Sequence, residues 1–240
     1  MEKEGRVGLK EWFADRGIKH VLFDMDNTLV DTKEHFFTRM QKYCEFLERE
    51  SGEDRRKIFD MFLNGIMSLR NEFQVHPTVL EVPARIVAMV CGVEGPELED
   101  KVSELMMIYE VAPKAYPDAV NQVGQIRDAG VEVFGVTHAG EDWTWKKRED
   151  FFGLFKAWVC TRTDRPKDAL AWQMAMEKLN VVPNEVMVVG DSWESDIAPA
   201  LEMGIKKAVW TRNGSSLKNN DSRIIEIESI AGLVKGLLFS

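Results

Sequence analysis

Cysteine is scarce in this chain, and Cys44, Cys91 and Cys160 are odd in number and too scattered for a metal-ligand spacing. That usage argues against a disulfide framework, suits a reducing compartment, and makes each cysteine an expected buried thiol. Long apolar runs are missing too: no stretch approaches ~18 uninterrupted apolar residues, the length a membrane-spanning helix needs. The opening "MEKEGRVGLKEWF" has neither an apolar core nor a small-residue cleavage site, so a soluble, cytoplasmic protein is expected. Basic charge is in deficit, with 31 Lys and Arg against 40 Asp and Glu and a net charge of -9. No global field then draws the chain to nucleic acid or to an anionic membrane, and an anionic ligand needs a local cation.

What is present is an ordinary globular composition. At 240 residues, with 45% hydrophobic and 30% charged residues, the chain can bury one large core or two smaller ones. Residues 18–23, "IKHVLF", read as a strand after an amphipathic stretch, "GLKEWFADRG", that ends in a glycine stop. Residues 31–112 then carry apolar residues at helical spacing, such as Phe36, Met40, Tyr43, Cys44 and Leu47, and later Leu98, Val102, Leu105 and Tyr109. From Pro117 the texture alternates. "VEVFGVT" (131–137), "AWVCT" (157–161), "VMVVG" (186–190) and "AVWT" (208–211) are short apolar runs joined by helical stretches such as "DALAWQMAMEKL" (168–179). Strands buried on both faces have this appearance, so a parallel α/β sheet is predicted. The break in texture predicts two modules: an α/β core from residues 1–30 and 113–240, and a helical insertion over residues 31–112.

Ligands of open parallel sheets bind at the carboxyl ends of the strands. At those exits stand Asp24-Met25-Asp26-Asn27-Thr28, then Thr137-His138-Ala139-Gly140, then Arg162, Arg165 and Lys167, then Gly190-Asp191-Ser192 with Asp196 following. Two carboxylates one residue apart at a strand end cost free energy unless a cation, a shared proton or water relieves them. A calcium loop does not fit "DMDNTLV", because its glycine position holds Leu29 and its final glutamate position holds His35.

In this order the segments "DMDNTLV", "VTHAG", "RPKDAL" and "GDSWESDIAPA" resemble the four motifs of the haloacid dehalogenase-like hydrolase superfamily. The resemblance covers residues 18–36 and 114–212. It implies a Rossmann-like, doubly wound parallel sheet with a helical cap inserted between the first and second motifs. It further implies that Asp24 is a nucleophile forming an aspartyl-phosphate, and that Asp26 moves protons with a free side chain. Mg would be held by Asp24, Asp191 and the Asp26 backbone carbonyl, with Asp196 as a further ligand or as the group that orients a bound water. Thr137 and Lys167 would hold the transferring phosphoryl group, with His138 beside the leaving group. Within the family, phosphatases and phosphomutases carry an aspartate two residues after the nucleophile, whereas dehalogenases lack one, so Asp26 favours phosphate esters.

The expected activity is therefore Mg-dependent hydrolysis of a small phosphorylated metabolite. A sugar phosphomutase of the same superfamily and a non-catalytic protein that binds phosphate ligands are the alternatives. The motif-three cation is Arg165 or Lys167, since "RPK" offers one on each side of the proline, and Lys167 is preferred. Thr28 is expected to fix the turn. Trp143 and Trp145, and Arg70, His76 and Arg85 in the insertion, are read as solvated or core-covering residues unless a substrate reaches them. The sequence does not choose between a monomer and a homodimer.

Overall fold

The computed structural model describes residues 8–72, 80–141, 144, 147–161, 167–214 and 221–240, with the backbone alone for 70–72. Two compact units emerge: one is formed by the chain up to Asp31 together with Lys114–Ser240, the other by Thr32–Pro113.

The first unit is built on a six-stranded parallel sheet. Its strands are β1 (His20–Phe23), β2 (Glu132–Thr137), β3 (Ala157–Cys160), β4 (Val186–Gly190), β5 (Lys207–Thr211) and β6 (Ile224–Ile227). The order across the sheet is β3-β2-β1-β4-β5-β6, and every neighbouring pair is parallel. β1 is central, and the chain turns to one side of it for β2 and β3 and to the other for β4 to β6. That reversal is the topological switch point at which α/β sheets open a crevice beyond the strand ends.

Side-chain alternation explains why both faces are covered. Val21 and Phe23 of β1, Val133 of β2, and Met187 and Val189 of β4 join one cluster, packed against α1 (Leu9–Arg16), α6 (Ala119–Asp128) and α8 (Leu233–Leu238). Leu22, Phe134, Val136, Val186 and Val188 point the other way and pack with Trp172, Ala175 and Met176 of α7 (Ala169–Leu179). A strand buried on both sides has no polar face to show, which is why these segments read as continuous apolar runs. Gly135 has a packing reason: a Cβ there would meet the Trp158 ring at 1.8 Å, so the β3 indole lies where a side chain on β2 would be. α1 stops at Gly17, whose φ of 59° is the left-handed conformation that glycine adopts without strain.

The second unit is helical: α2 (Thr32–Ser51), α3 (Arg55–Glu72), α4 (Glu81–Val90) and α5 (Pro96–Met106), followed by a 3-10 turn at Met107–Tyr109. Its own core gathers Met40, Tyr43, Cys44, Leu47, Ile58, Phe62, Ala84, Val87, Val102 and Leu105, the apolar positions of the helical periodicity. Pro83 sits in the first turn of α4, where its missing N–H breaks no helical bond. Its ring lies against Gly65, where a Cβ would come within 3.2 Å.

Several expectations are corrected. Cys44 is buried, but Cys91 and Cys160 are only half-buried, because they stand at a helix end and near a sheet edge where packing is one-sided. β6 was not predicted: its Ile224–Ile227 run alternates half-exposed and buried residues, as an edge strand does, and includes Glu226. Arg85 is an exposed residue ion-paired with Glu81 and Glu99, so it is engaged on the solvated helix face. His76, Trp143, Trp145, Arg162, Arg165 and the side chain of Arg70 lie outside the described residues. Among the described residues no helix is long and apolar enough to cross a membrane.

Candidate active site

The site forms where β1, β2 and β4 end, and strand alternation aims its first residues. Phe23 and Met25 are fully buried in the cluster on one face of the sheet, so the residues between and beside them, Asp24 and Asp26, project away from it. The turn behind them is tight. Met25 O accepts from the N–H groups of Thr28, Leu29 and Val30, and Asn27 takes a φ of 61°, a left-handed conformation that asparagine tolerates better than most residues. The Asp24 N–H donates to Val189 O at 2.9 Å, tying the end of β1 to β4.

Asp191 follows β4 directly, and a short π-helical turn, Trp193–Ile197, brings Asp196 back over Gly190. A Cβ on Gly190 would lie 2.4 Å from Asp196 Cβ, so the glycine is the space into which this carboxylate folds. Such single π turns recur at functional sites because they re-aim one residue without ending the helix. Ser192 caps the turn by accepting from Ser195 N–H, and its own N–H donates to Asp196 Oδ2 at 3.1 Å. Two indoles brace the region from below: Trp172 Nε1–H donates to Ser195 O and Trp210 Nε1–H to Asp191 O.

Lys167, at the foot of α7, is 4% exposed and uses all three ammonium donors. They reach Asp24 Oδ1 at 2.6 Å, Asp196 Oδ1 at 2.7 Å and Val136 O at 3.0 Å, while the Trp172 ring lies 4.9 Å below. Burial alone would push this ammonium's pKa down, but Asp196 and Asp24 outweigh burial and raise it. Asp168 caps α7 by accepting from Ala171 N–H. The Thr28 hydroxyl lies 3.3 Å from Asp24 Oδ2 and 3.4 Å from Asp191 Oδ1, so it tethers two carboxylates besides closing the turn.

Oxygens of Asp24, Asp191 and Asp196 lie within 4.8 Å of one another. Burial, then repulsion from Asp196, holds the Asp24 carboxyl well above the usual range against the pull of Lys167. The same two causes push the Asp191 carboxyl up to about 7. Among the described residues, three carboxylates stand against one ammonium, which leaves two negative charges in a poorly solvated place and an oxygen donor set that fits a hard divalent cation.

On the β2 side, Thr137 is fully buried, and its hydroxyl lies 3.4 Å from Asp26 Oδ2 and accepts from Ala139 N–H. The Thr161 hydroxyl donates to Thr137 O and contacts His138 Nδ1 at 2.9 Å, which orients the imidazole. Asp24, Asp26, Thr137, His138, Lys167, Asp191 and Asp196 are thus brought into one contiguous set.

One member was not anticipated. Lys147 Nζ lies 2.5 and 2.6 Å from the two oxygens of Asp26, with its side chain 0% exposed. The Asp26 side chain is therefore held by a cation, contrary to the expectation that it is free. In "WKKRED" this lysine looks like part of a solvated charge run, and helical spacing from Gly140 was the available signal. Thr144 N–H donates to Gly140 O and Arg148 N–H to Thr144 O, and between those two bonds Lys147 is buried.

The sequence model of a family described as haloacid dehalogenase-like hydrolase matches residues 18–204. Solved structures share the fold, among them the following three. A haloacid dehalogenase-like family hydrolase from Xanthomonas campestris has a TM-score of 0.73 at 15% identity, covering 92% of this chain and 94% of that one. A HAD phosphatase from Thermococcus onnurineus has a TM-score of 0.62 at 22% identity, covering 91% and 97%. A 2-haloacid dehalogenase from Pseudomonas syringae pv. Tomato DC3000 has a TM-score of 0.61 at 18% identity, covering 92% and 98%. No curated sequence relative matches the chain.

Proposed function

This chain belongs to the haloacid dehalogenase-like hydrolases, and from that premise we propose that it is a phosphatase that hydrolyses a small phosphorylated metabolite with Mg as cofactor. The observation that carries the reading is the double negative charge left over at Asp24, Asp191 and Asp196 once Lys167 is counted. A dehalogenase shares the fold, as the Pseudomonas syringae structure illustrates, but carbon–halogen cleavage does not call for that excess charge. The substrate class follows from the resemblance, in which an inserted helical cap limits what reaches the site.

Asp24, Asp191 and Asp196 would hold the ion by their carboxylates and Asp26 by its backbone carbonyl. When bound, Mg supplies positive charge that lowers the repulsion between an anionic nucleophile and a phosphate ester. In the first half-reaction an Asp24 carboxylate oxygen forms a bond to phosphorus. The ester P–O bond breaks, its electron pair stays on the leaving oxygen, and that oxygen takes a proton from Asp26. In the second half Asp26 takes a proton from water as the water oxygen bonds to phosphorus. The bond to Asp24 breaks, and its electron pair restores the carboxylate. Lys167 and the Thr137 hydroxyl stabilise the charge on the phosphoryl oxygens.

The test is hydrolysis of p-nitrophenyl phosphate with and without Mg, by wild type and by Asp24→Asn. Mg-dependent turnover that falls by roughly three orders of magnitude or more in Asp24→Asn is expected. Turnover unaffected by Asp24→Asn would remove the nucleophile from the account.

A further inference from the structure

The Lys147 ammonium is a buried charged group to which the proposed chemistry gives no part. We propose that Lys147 is the positioning residue for the proton-transfer carboxylate: it fixes both Asp26 oxygens beside Thr137, in the orientation from which Asp26 exchanges a proton with the ester oxygen. The inference rests on the phosphatase reading and adds to it a residue that acts through Asp26 rather than on the substrate.

Geometry is the first support. Two contacts of 2.5 and 2.6 Å from one ammonium to both oxygens of one carboxylate restrain where that carboxylate sits, with both oxygens held on the side of the ammonium. Thr137 Oγ1, at 3.4 Å from Asp26 Oδ2, marks the side on which the phosphoryl group would lie. Accessibility is the second. The Lys147 side chain is 0% exposed whereas that of Asp26 is 27% exposed, so a ligand can meet the carboxylate but not the ammonium behind it. Origin is the third, because Lys147 follows the same β2 exit that carries Thr137 and His138. Gly140 O accepts from both the N–H and the hydroxyl of Thr144, which fastens Thr144 to that strand exit.

Stability is a poor explanation for such a pair. Burying a lysine against a half-buried aspartate gains little over well-packed apolar residues, because the ammonium loses its hydration and the carboxylate loses part of its own. What the pair does supply is a division of charge. Lys167 spans Asp24 and Asp196 and Lys147 covers Asp26, so among the described residues the excess negative charge lies in the cluster that would hold a cation. The Asp26 side chain is thereby kept apart from that cluster although it stands only two residues from Asp24.

The test uses the full chain with Mg and two aryl phosphates that differ in leaving group, p-nitrophenyl phosphate and phenyl phosphate. The variants are Lys147→Met, Asp26→Asn and the double variant. Nitrophenolate leaves without much help and phenolate needs a proton, so loss of Asp26 positioning falls on phenyl phosphate. Lys147→Met is expected to lose about ten-fold more kcat/KM on phenyl phosphate than on p-nitrophenyl phosphate. In the Asp26→Asn background the same substitution is expected to change either rate by no more than about two-fold. Equal losses on both substrates, or the full loss again in the Asp26→Asn background, would leave Lys147 a structural residue and overturn the inference. Should Lys147→Met fail to fold, the double variant, uncharged at both positions, is compared with Asp26→Asn, and the same two-fold limit decides. A folded wild type inactive on both esters with Mg would overturn the phosphatase reading and this inference with it, an outcome distinct from equal losses in an active enzyme.

Discussion

Gly190 and Lys167 show how far single residues set the charge balance of the site. Gly190→Ala would drive a methyl group into Asp196, and over-packing of this kind typically costs about 1–3 kcal/mol. Its larger effect is expected on metal binding, since Asp196 must move: calorimetric titration with Mg should show a loss of affinity beyond the change in unfolding midpoint. An affinity equal to that of wild type would mean that Asp196 does not belong to the cation site. Lys167→Met strands two buried carboxylates, and breaking such a pair from one side costs about 3–5 kcal/mol. At this scale Asp24, Asp26, Thr137 and Asp191 were legible because each follows a strand whose apolar run marks its own end. Lys147 was not, because a charged run of sequence reads as solvated surface unless the path of its backbone is known.

At the scale of elements, β1, β2, β4 and β5 could be read because burial on both faces removes most polar positions from them, and β3, an edge strand with only Val159 buried, could be read because its four residues are all apolar. β6 escaped because an edge strand half faces solvent, and a four-residue segment containing Glu226 resembles a loop. The π turn at Trp193–Ile197 escaped for a different reason: no local propensity encodes it, and Trp172 Nε1–H donating 2.7 Å to Ser195 O helps to hold it. Trp172→Phe removes that donor and leaves a carbonyl unsatisfied. A loss of about 1–3 kcal/mol in urea unfolding is expected, together with weaker Mg binding. A variant that is destabilised yet binds Mg as wild type does would detach the turn from the metal site. In the helical unit, Phe62→Ala should cost about 3–5 kcal/mol by leaving a cavity, measured by the same unfolding.

Across the whole molecule, a net charge of -9 gives no general attraction for phosphate, so on the proposed function recognition would rest on Lys167, on the proposed cation and on backbone donors at the strand ends. The pH dependence of stability follows from the same cluster. The Asp191 carboxyl, pushed up to about 7 in the folded chain, binds a proton that the unfolded chain releases near pH 4. Without divalent cation its contribution to stability is therefore greatest at the acid end and is lost as pH rises toward about 7. Mg needs the ionised form, so the rise in Tm that it produces should grow from about pH 5 to about pH 8. Differential scanning fluorimetry with EDTA and with Mg measures both trends, and a Mg-induced shift that shrinks with rising pH would contradict the assignment.

The central claim is that Asp24 carries the phosphoryl group. Rapid acid quench of the Mg-loaded enzyme during turnover of p-nitrophenyl phosphate, followed by peptide mass analysis, tests it most directly. The account predicts the added mass of one phosphoryl group on the peptide containing Asp24 and none in Asp24→Asn. A burst of nitrophenolate at active turnover with the adduct on any other residue would contradict it.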